Sequence, residues 1–212
     1  SAIANANVII SRIDMENEVG EDNKKVIKGQ ALFFRAYFYN FLANLYGGVP
    51  LILEEATEPR KDYVRATREA TYDQARQDLE DAIKMLNDIT KAKDGEVNIQ
   101  AAQHLLAEVY ISLGDYSEAI AAATAVITHP SMGLMKTRFG SRKDETGDPY
   151  WDLFQLNNQN RSSGNTETIW ALQYEYKNSG SSYSNEMPRW LLPYYEGLNV
   201  RDKEDKKNVK AF

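Results

Sequence analysis

Residues 29–50 read GQALFFRAYFYNFLANLYGGVP, and how this stretch folds decides the architecture. Apolar residues at Ile27, Ala31, Phe34, Phe38, Phe41 and Leu45 alternate steps of four and three, the spacing of one stripe on an α-helix. Phe33, Tyr37 and Leu42 add a second apolar flank, so the helix is expected to be buried on more than one side. Gly47-Gly48 ends it and Pro50 prevents its resumption. From Lys25 to Tyr46 such a helix spans roughly 33 Å, enough for the central post of a helical domain. Core packing accounts for its aromatics.

Working outward, Ser1–Met15 carries Ile3, Ala6, Ile10 and Ile13 at helical steps. The acidic loop after it places Asp14, Glu16 and Glu18 at calcium-loop spacing, but Val19 stands where the turn glycine belongs, so a solvated loop is expected. Beyond the long helix, Val49–Ala66 contains Pro50 and Pro59 and has no helical period. Thr67 can cap a second helix with the stripe Tyr72, Ala75, Leu79, Ala82, Ile83 and Leu86. Asn98 can cap a third, carrying Ala102, Leu105, Leu106, Val109, Tyr110 and Leu113. Gly114-Asp115 breaks that helix, and Asp115 with Glu118 resembles a capping box for a fourth. The fourth carries Tyr116, Ala119, Ile120, Ala123, Val126 and Ile127 and ends near His129-Pro130.

Leu106, Ala107, Tyr110, Ala119, Ala123 and Pro130 follow the tetratricopeptide pattern of two packed helices. The spacing of Tyr72, Ala75, Leu79, Ala82 and Ile83 repeats it upstream. The expected fold class is therefore mostly α, tetratricopeptide-like helical repeats, the first unit having residues 47–66 inserted between its helices. Residues 1–130 form the scaffold. Residues 131–212 are read as an irregular, aromatic-rich, loop-rich segment of the same domain, with one short strand over Glu167–Tyr176. Two units seldom bury a full core, so further helices or another module are expected at the ends.

The 212 residues carry a net charge of −6 with no basic block, which argues against nucleic-acid binding. No apolar run reaches membrane-spanning length, and no charged-then-apolar leader follows Ser1. Cysteine is absent, excluding disulfides and thiolate chemistry from these residues. No H-E-x-x-H, G-x-S-x-G or phosphate-loop spacing occurs. His104 lies at the margin of a helix stripe, and His129 is expected to meet terminal carbonyls at a helix end. Neither an enzyme nor a cofactor is expected. Asp144, Thr146, Asp148 and Asp152 could ligate calcium, but a polar turn explains them better, so no metal is assigned.

Five stretches together resemble the SusD/RagB family of surface nutrient-binding lipoproteins of Bacteroidetes. They are ANANVI, GQALFFRAYFYNFLANLYGGVPLIL, TREATYDQARQDLEDAIKML, VNIQAAQHLLAEVYISLGDYSEAIAAATAVI and NTETIWALQYEY, in the family's order. Gln30 stands where the family usually has Glu, and Gly48 where it often has Asp. The resemblance covers most of residues 1–176 and implies a longer protein, of which this chain is an internal portion. It also implies location at the outer-membrane cell surface through a lipid anchor absent here, and a SusC-like TonB-dependent transporter as partner. The ligand is expected to be an oligosaccharide, bound without catalysis.

Sugars pack their C–H faces on aromatics and need amides, carboxylates or arginine for their hydroxyls. Tyr183, Asn185, Arg189, Trp190 and Tyr194 supply that mixture and are the expected ligand residues, with Glu186 and Tyr195 beside them. Trp170 and Trp151 are read as core residues, one in the strand and one at a helix start. The rival reading is a tetratricopeptide protein-interaction scaffold without a sugar site.

Overall fold

The computed structural model describes residues 2–173. Six α-helices appear among them: α1 (Ala2–Arg12), α2 (Glu21–Tyr46), α3 (Arg68–Ile83), α4 (Ile99–Leu113), α5 (Tyr116–Ile127) and α6 (Pro149–Leu153). Three short 3-10 turns complete the regular structure. Successive helices α1 to α5 each pack on the next, so α2 with α3 and α4 with α5 form two helical hairpins in series. This is the mostly helical, repeat-like fold read from the periodicity. Residues 2–171 form one compact unit.

Helix α2 begins at Glu21, four residues earlier than expected, with Glu21 and Asp22 at its positive end. Its 26 residues span roughly 39 Å. Gly47 ends it at φ 73°, its amide bonding the Ala43 carbonyl at 3.0 Å. Gly48 is required for a different reason. A Cβ there would stand 1.9 Å from the Ala66 carbonyl oxygen, where the long connection returns to the helix end.

The stripe assigned to α2 is rotated from the observed one. Leu32, Ala36, Tyr39 and Ala43 are buried at steps of four, three and four, flanked by Phe33 and Arg35. Phe34 and Phe38 are half-buried, while Phe41 and Leu45 are 50% and 58% exposed. Small residues let α3 approach closely: Ala36, Ala75 and Ala82 share one core cluster, and a Cβ on Gly29 would stand 3.3 Å from the Ala82 carbonyl oxygen. The bulky rings then fall to the flank. A polar network holds the chosen face inward, and an apolar count does not register it.

That network centres on Arg35. Its Nε and Nη2 donate to the two Asp78 carboxylate oxygens at 2.7 Å each, joining α2 to α3. Its Nη1 donates to Asn7 Oδ1 of α1 and to the Leu53 carbonyl, both at 3.0 Å. Asn7 donates in turn to the Ile52 and Glu54 carbonyls. The Tyr39 hydroxyl accepts from the Ile52 amide at 2.7 Å and donates to its carbonyl at 2.9 Å. Residues 51–54 have no ladder of their own, and these side chains bond the Ile52 amide and the carbonyls of Ile52, Leu53 and Glu54.

Helix α3 follows the sequence reading: Tyr72, Ala75, Leu79, Ala82 and Leu86 are all buried, and Thr67 Oγ1 accepts from the Ala70 amide. Asn98 Oδ1 likewise caps α4 through the Ala101 amide at 2.9 Å. The capping box at α5 does not form. Asp115 makes no side-chain cap, Glu118 accepts from the Ser117 hydroxyl, and the Asp115 carboxylate lies 3.7 Å from Arg76 Nη1 instead. The α5 stripe is also mostly exposed: Tyr116, Ile120 and Ile127 are 66%, 68% and 75% exposed, and only Ala119 and Val126 are buried. Helix α5 packs chiefly on α4, so one narrow face suffices.

Candidate functional site

The expected ligand residues Tyr183, Asn185, Arg189, Trp190 and Tyr194, with Glu186 and Tyr195, lie outside the described residues. The candidate features that the described residues do build arise where the segment after the repeats returns to α2 and α4.

Residues 167–173 form no strand. Ile169 and Trp170 favour extended backbone, but no neighbouring segment offers a ladder, and side chains hold them instead. Asn98, already the cap of α4, donates through Nδ2 to the Ile169 carbonyl at 2.9 Å. The Trp170 indole N–H donates to the Gly95 carbonyl at 3.0 Å. The indole meets Phe33 and Phe34 edge-on, with ring centroids 5.6 and 6.0 Å apart. Trp170 therefore packs on the core as expected, though without a strand. Beside it a cavity of about 510 Å³ opens between α2 and α4, lined by Phe33, Tyr37, His104, Glu108, Glu167 and Trp170 among others. Glu108 accepts from Asn40 Nδ2 across the two helices at 3.2 Å. A second cavity of about 580 Å³, between α1 and the start of α2, is lined by Val8, Ile9, Ile13, Met15 and Ile27 with Arg12 and Glu16.

A polar clamp fastens the post-repeat segment to the α3–α4 connection. Asp88 accepts from the Thr90 amide and hydroxyl at 2.9 and 2.7 Å, from Gln100 Nε2 at 2.8 Å, and contacts His129 Nε2 at 3.1 Å. Burial pushes the Asp88 carboxyl up, but the Thr90 hydroxyl and amide, Gln100 and His129 outweigh it and hold the group down at about 2. His129 Nδ1 accepts from the Ser131 amide, which makes Nε2 the N–H donor to Asp88 in the neutral ring. His129 thus meets a carboxylate 41 residues away rather than the helix-end carbonyls expected for it. Nearby, Asp94 accepts from the Arg161 amide at 3.0 Å, and Arg161 Nη2 donates to the Ser131 carbonyl at 2.6 Å. Burial lowers the Arg161 guanidinium below its ordinary range.

The four oxygen-bearing residues considered for calcium have other roles or stand in solvent. Asp148 Oδ1 caps α6 by accepting from the Trp151 amide at 2.7 Å. Asp152 is fully buried and takes Arg138 in a fork, at 2.7 and 3.0 Å, plus the Phe139 amide. Arg138 holds its carboxyl below the usual range. Asp144 and Thr146 are exposed. Among the described residues no three His, Cys, Asp or Glu side chains gather as a metal would need. Trp151 is half-buried beneath the Arg138 guanidinium, 5.5 Å from the ring centre, rather than in the core. No described helix is long and apolar enough to cross a membrane.

Sequence reasoning missed Arg35, Asp78, Asn7 and Asp88. The signal for Arg35 was a charged residue amid the apolar run Phe33–Phe38, which has to find a partner if the helix is buried.

Comparison with known proteins matches residues 1–111 to a SusD-like family described as "Starch-binding associating with outer membrane". The SusD-like protein P2 of Formosa agariphila is 28% identical over 188 residues, covering 87% of this chain and 34% of that protein. A SusD-like protein of Bacteroides fragilis superposes with a TM-score of 0.66 at 23% identity, covering 83% of this chain and 32% of the other. A laminarin-binding SusD-like protein superposes at 0.56 with 28% identity, covering 64% and 31%. The chain spans about a third of the length of these relatives. With residues 1–111 of its 212 matched, the chain belongs to the SusD-like family.

Proposed function

We propose that this chain is part of a cell-surface protein that captures an oligosaccharide and hands it to a SusC-like TonB-dependent outer-membrane transporter, without chemistry on the sugar. The observation that carries this reading is the family match over the helical scaffold, in a family described as starch-binding and outer-membrane-associated. The laminarin-binding relative supports a glycan as the ligand class. Membrane attachment is assigned to a lipid anchor outside these 212 residues, which hold no cysteine.

In this reading residues 1–130 are scaffold and residues 131–212 carry recognition within the same domain. Tyr183, Trp190 and Tyr194 offer aromatic faces for the C–H side of pyranose rings, while Asn185 and Arg189 address hydroxyls. Isothermal titration of the full-length protein against a panel of α- and β-glucans and other bacterial and plant glycans tests it. Binding by at least one glycan is expected, lowered ten-fold or more by Trp190→Ala or Tyr183→Ala and unchanged by Ile120→Ala on the exposed face of α5. No heat with any glycan refutes the function, and binding indifferent to both aromatic variants refutes the site.

A further inference from the structure

Where α5 ends, the chain turns through Thr128-His129-Pro130-Ser131, and the ring of His129 is built into the turn through both of its nitrogens. Pro130 has no amide, so the Ser131 amide is the first donor after the ring, and it points back at His129 Nδ1 from 3.2 Å. Nε2 faces Asp88 at 3.1 Å, and the side chain is 19% exposed, so it is held between its two partners and still reached by water. Each partner is itself tied down. Asp88 is fixed by Thr90 and by Gln100 of α4. The Ser131 carbonyl takes Arg161 Nη2, and two residues further on the Gly133 amide and carbonyl bond the Thr166 carbonyl and hydroxyl. One imidazole therefore links the α3–α4 connection to the root of the post-repeat segment.

The two nitrogens have opposite requirements. Nε2 carries a proton whether the ring is neutral or charged, so it keeps Asp88 in both states. Nδ1 accepts from Ser131 only while it is bare, and a proton placed there sets two N–H groups against each other. The charged groups of the clamp are Asp88 and Asp94 from the α3–α4 connection and Arg161 from the post-repeat segment. The Asp88 carboxyl, held down at about 2, stays ionised throughout neutral and mildly acidic pH, and a guanidinium keeps its charge there. Histidine is the side-chain type among them that changes charge between pH 5 and 8.

We infer that His129 is a pH-operated latch: neutral, it ties the Ser131 amide to Asp88 through the ring, and protonated, it keeps Asp88 and lets Ser131 go. The tie is present at the alkaline end of this range and is lost as pH falls. Release is local, because Arg161 and Thr166 still hold Ser131 and Gly133 through bonds that no proton in this range disturbs. Acidification thus loosens the post-repeat segment at its root without detaching it. This inference does not depend on the glycan reading, because none of the expected sugar residues takes part.

Residue-resolved amide exchange by NMR on the whole wild-type chain tests it, with each rate divided into that of the free peptide at the same pH. The protection of the Ser131 amide is expected to fall about ten-fold or more between pH 8 and pH 5. The Ala101 amide, capped by Asn98 and touching no group of the clamp, is expected to keep its protection over the same range. Imidazole nitrogen shifts of His129 at pH 8 are expected to show the proton on Nε2 and Nδ1 bare. In His129→Gln the Ser131 protection is expected to be independent of pH. Constant Ser131 protection in the wild type, an equal loss at Ala101, a proton on Nδ1 at pH 8, or a pH dependence that survives in His129→Gln each overturns the inference.

Discussion

Replacing Asp78 with Leu should damage this fold more than any loss of apolar area at the site would suggest. The Asp78 side chain is 3% exposed and that of Arg35 is 8% exposed, and two guanidinium nitrogens donate to the carboxylate at 2.7 Å. Asp78→Leu leaves the Arg35 charge in place with only Asn7 and the Leu53 carbonyl as acceptors. Breaking a buried pair by removing one partner costs about 3–5 kcal/mol, because the surviving charge stays desolvated. At roughly 2–4 °C per kcal/mol for a domain of this size, Tm should fall by on the order of 10 °C. The double variant Arg35→Met/Asp78→Leu should lose less than the sum of the single losses, since no charge remains buried. It should still fall below wild type, because Asn7 Oδ1 and the Leu53 carbonyl then lack their donor. Urea denaturation of wild type, both single variants and the double gives the coupling directly. A loss under about 1 kcal/mol for Asp78→Leu, or additive losses in the cycle, refutes the claim that this pair locks α1, α2, α3 and the Leu51–Glu54 strip together.

Gly48→Ala should destabilise the protein by about 1–3 kcal/mol, since its Cβ would fall 1.9 Å from the Ala66 oxygen and force the connection off the helix end; unchanged thermal stability would show that the connection yields freely. Asp88 supplies a pH dependence whose sign is fixed. Its folded value lies at about 2 against an ordinary 3.8, so its contribution is fully present above pH 4 and is lost as pH falls from about 4 toward 2. Discounted for partial exposure, that contribution is on the order of 1 kcal/mol. Circular dichroism melts across this window should show a flatter acid limb for Asp88→Asn than for wild type, and identical limbs would remove Asp88 from the acid response.

The expectations that held are local ones. Thr67 and Asn98 cap their helices because a short oxygen-bearing side chain ahead of an apolar-periodic run satisfies a free amide wherever the rest of the chain goes. The α3 stripe was legible because its small and large apolar residues occupy one face only. In α2 apolar residues surround most of the helix, so periodicity gave the helix and left its rotation open. Of the strand expected over Glu167–Tyr176, the described residues 167–173 form none, because strand propensity is realised only where a second edge is available to pair.

By itself, then, the sequence determined that this protein is a series of amphipathic helices with defined caps, and in combination its motifs carried the family. Only the tertiary structure decided which side of α2 faces inward and where its charges go. Arg35 finds Asp78 at a separation of 43 residues and His129 finds Asp88 at 41. The physical reason is range. A cap or a helical stripe is settled within a turn or two of chain, whereas a buried charge is settled by whichever distant carboxylate the packed helices bring within hydrogen-bonding reach.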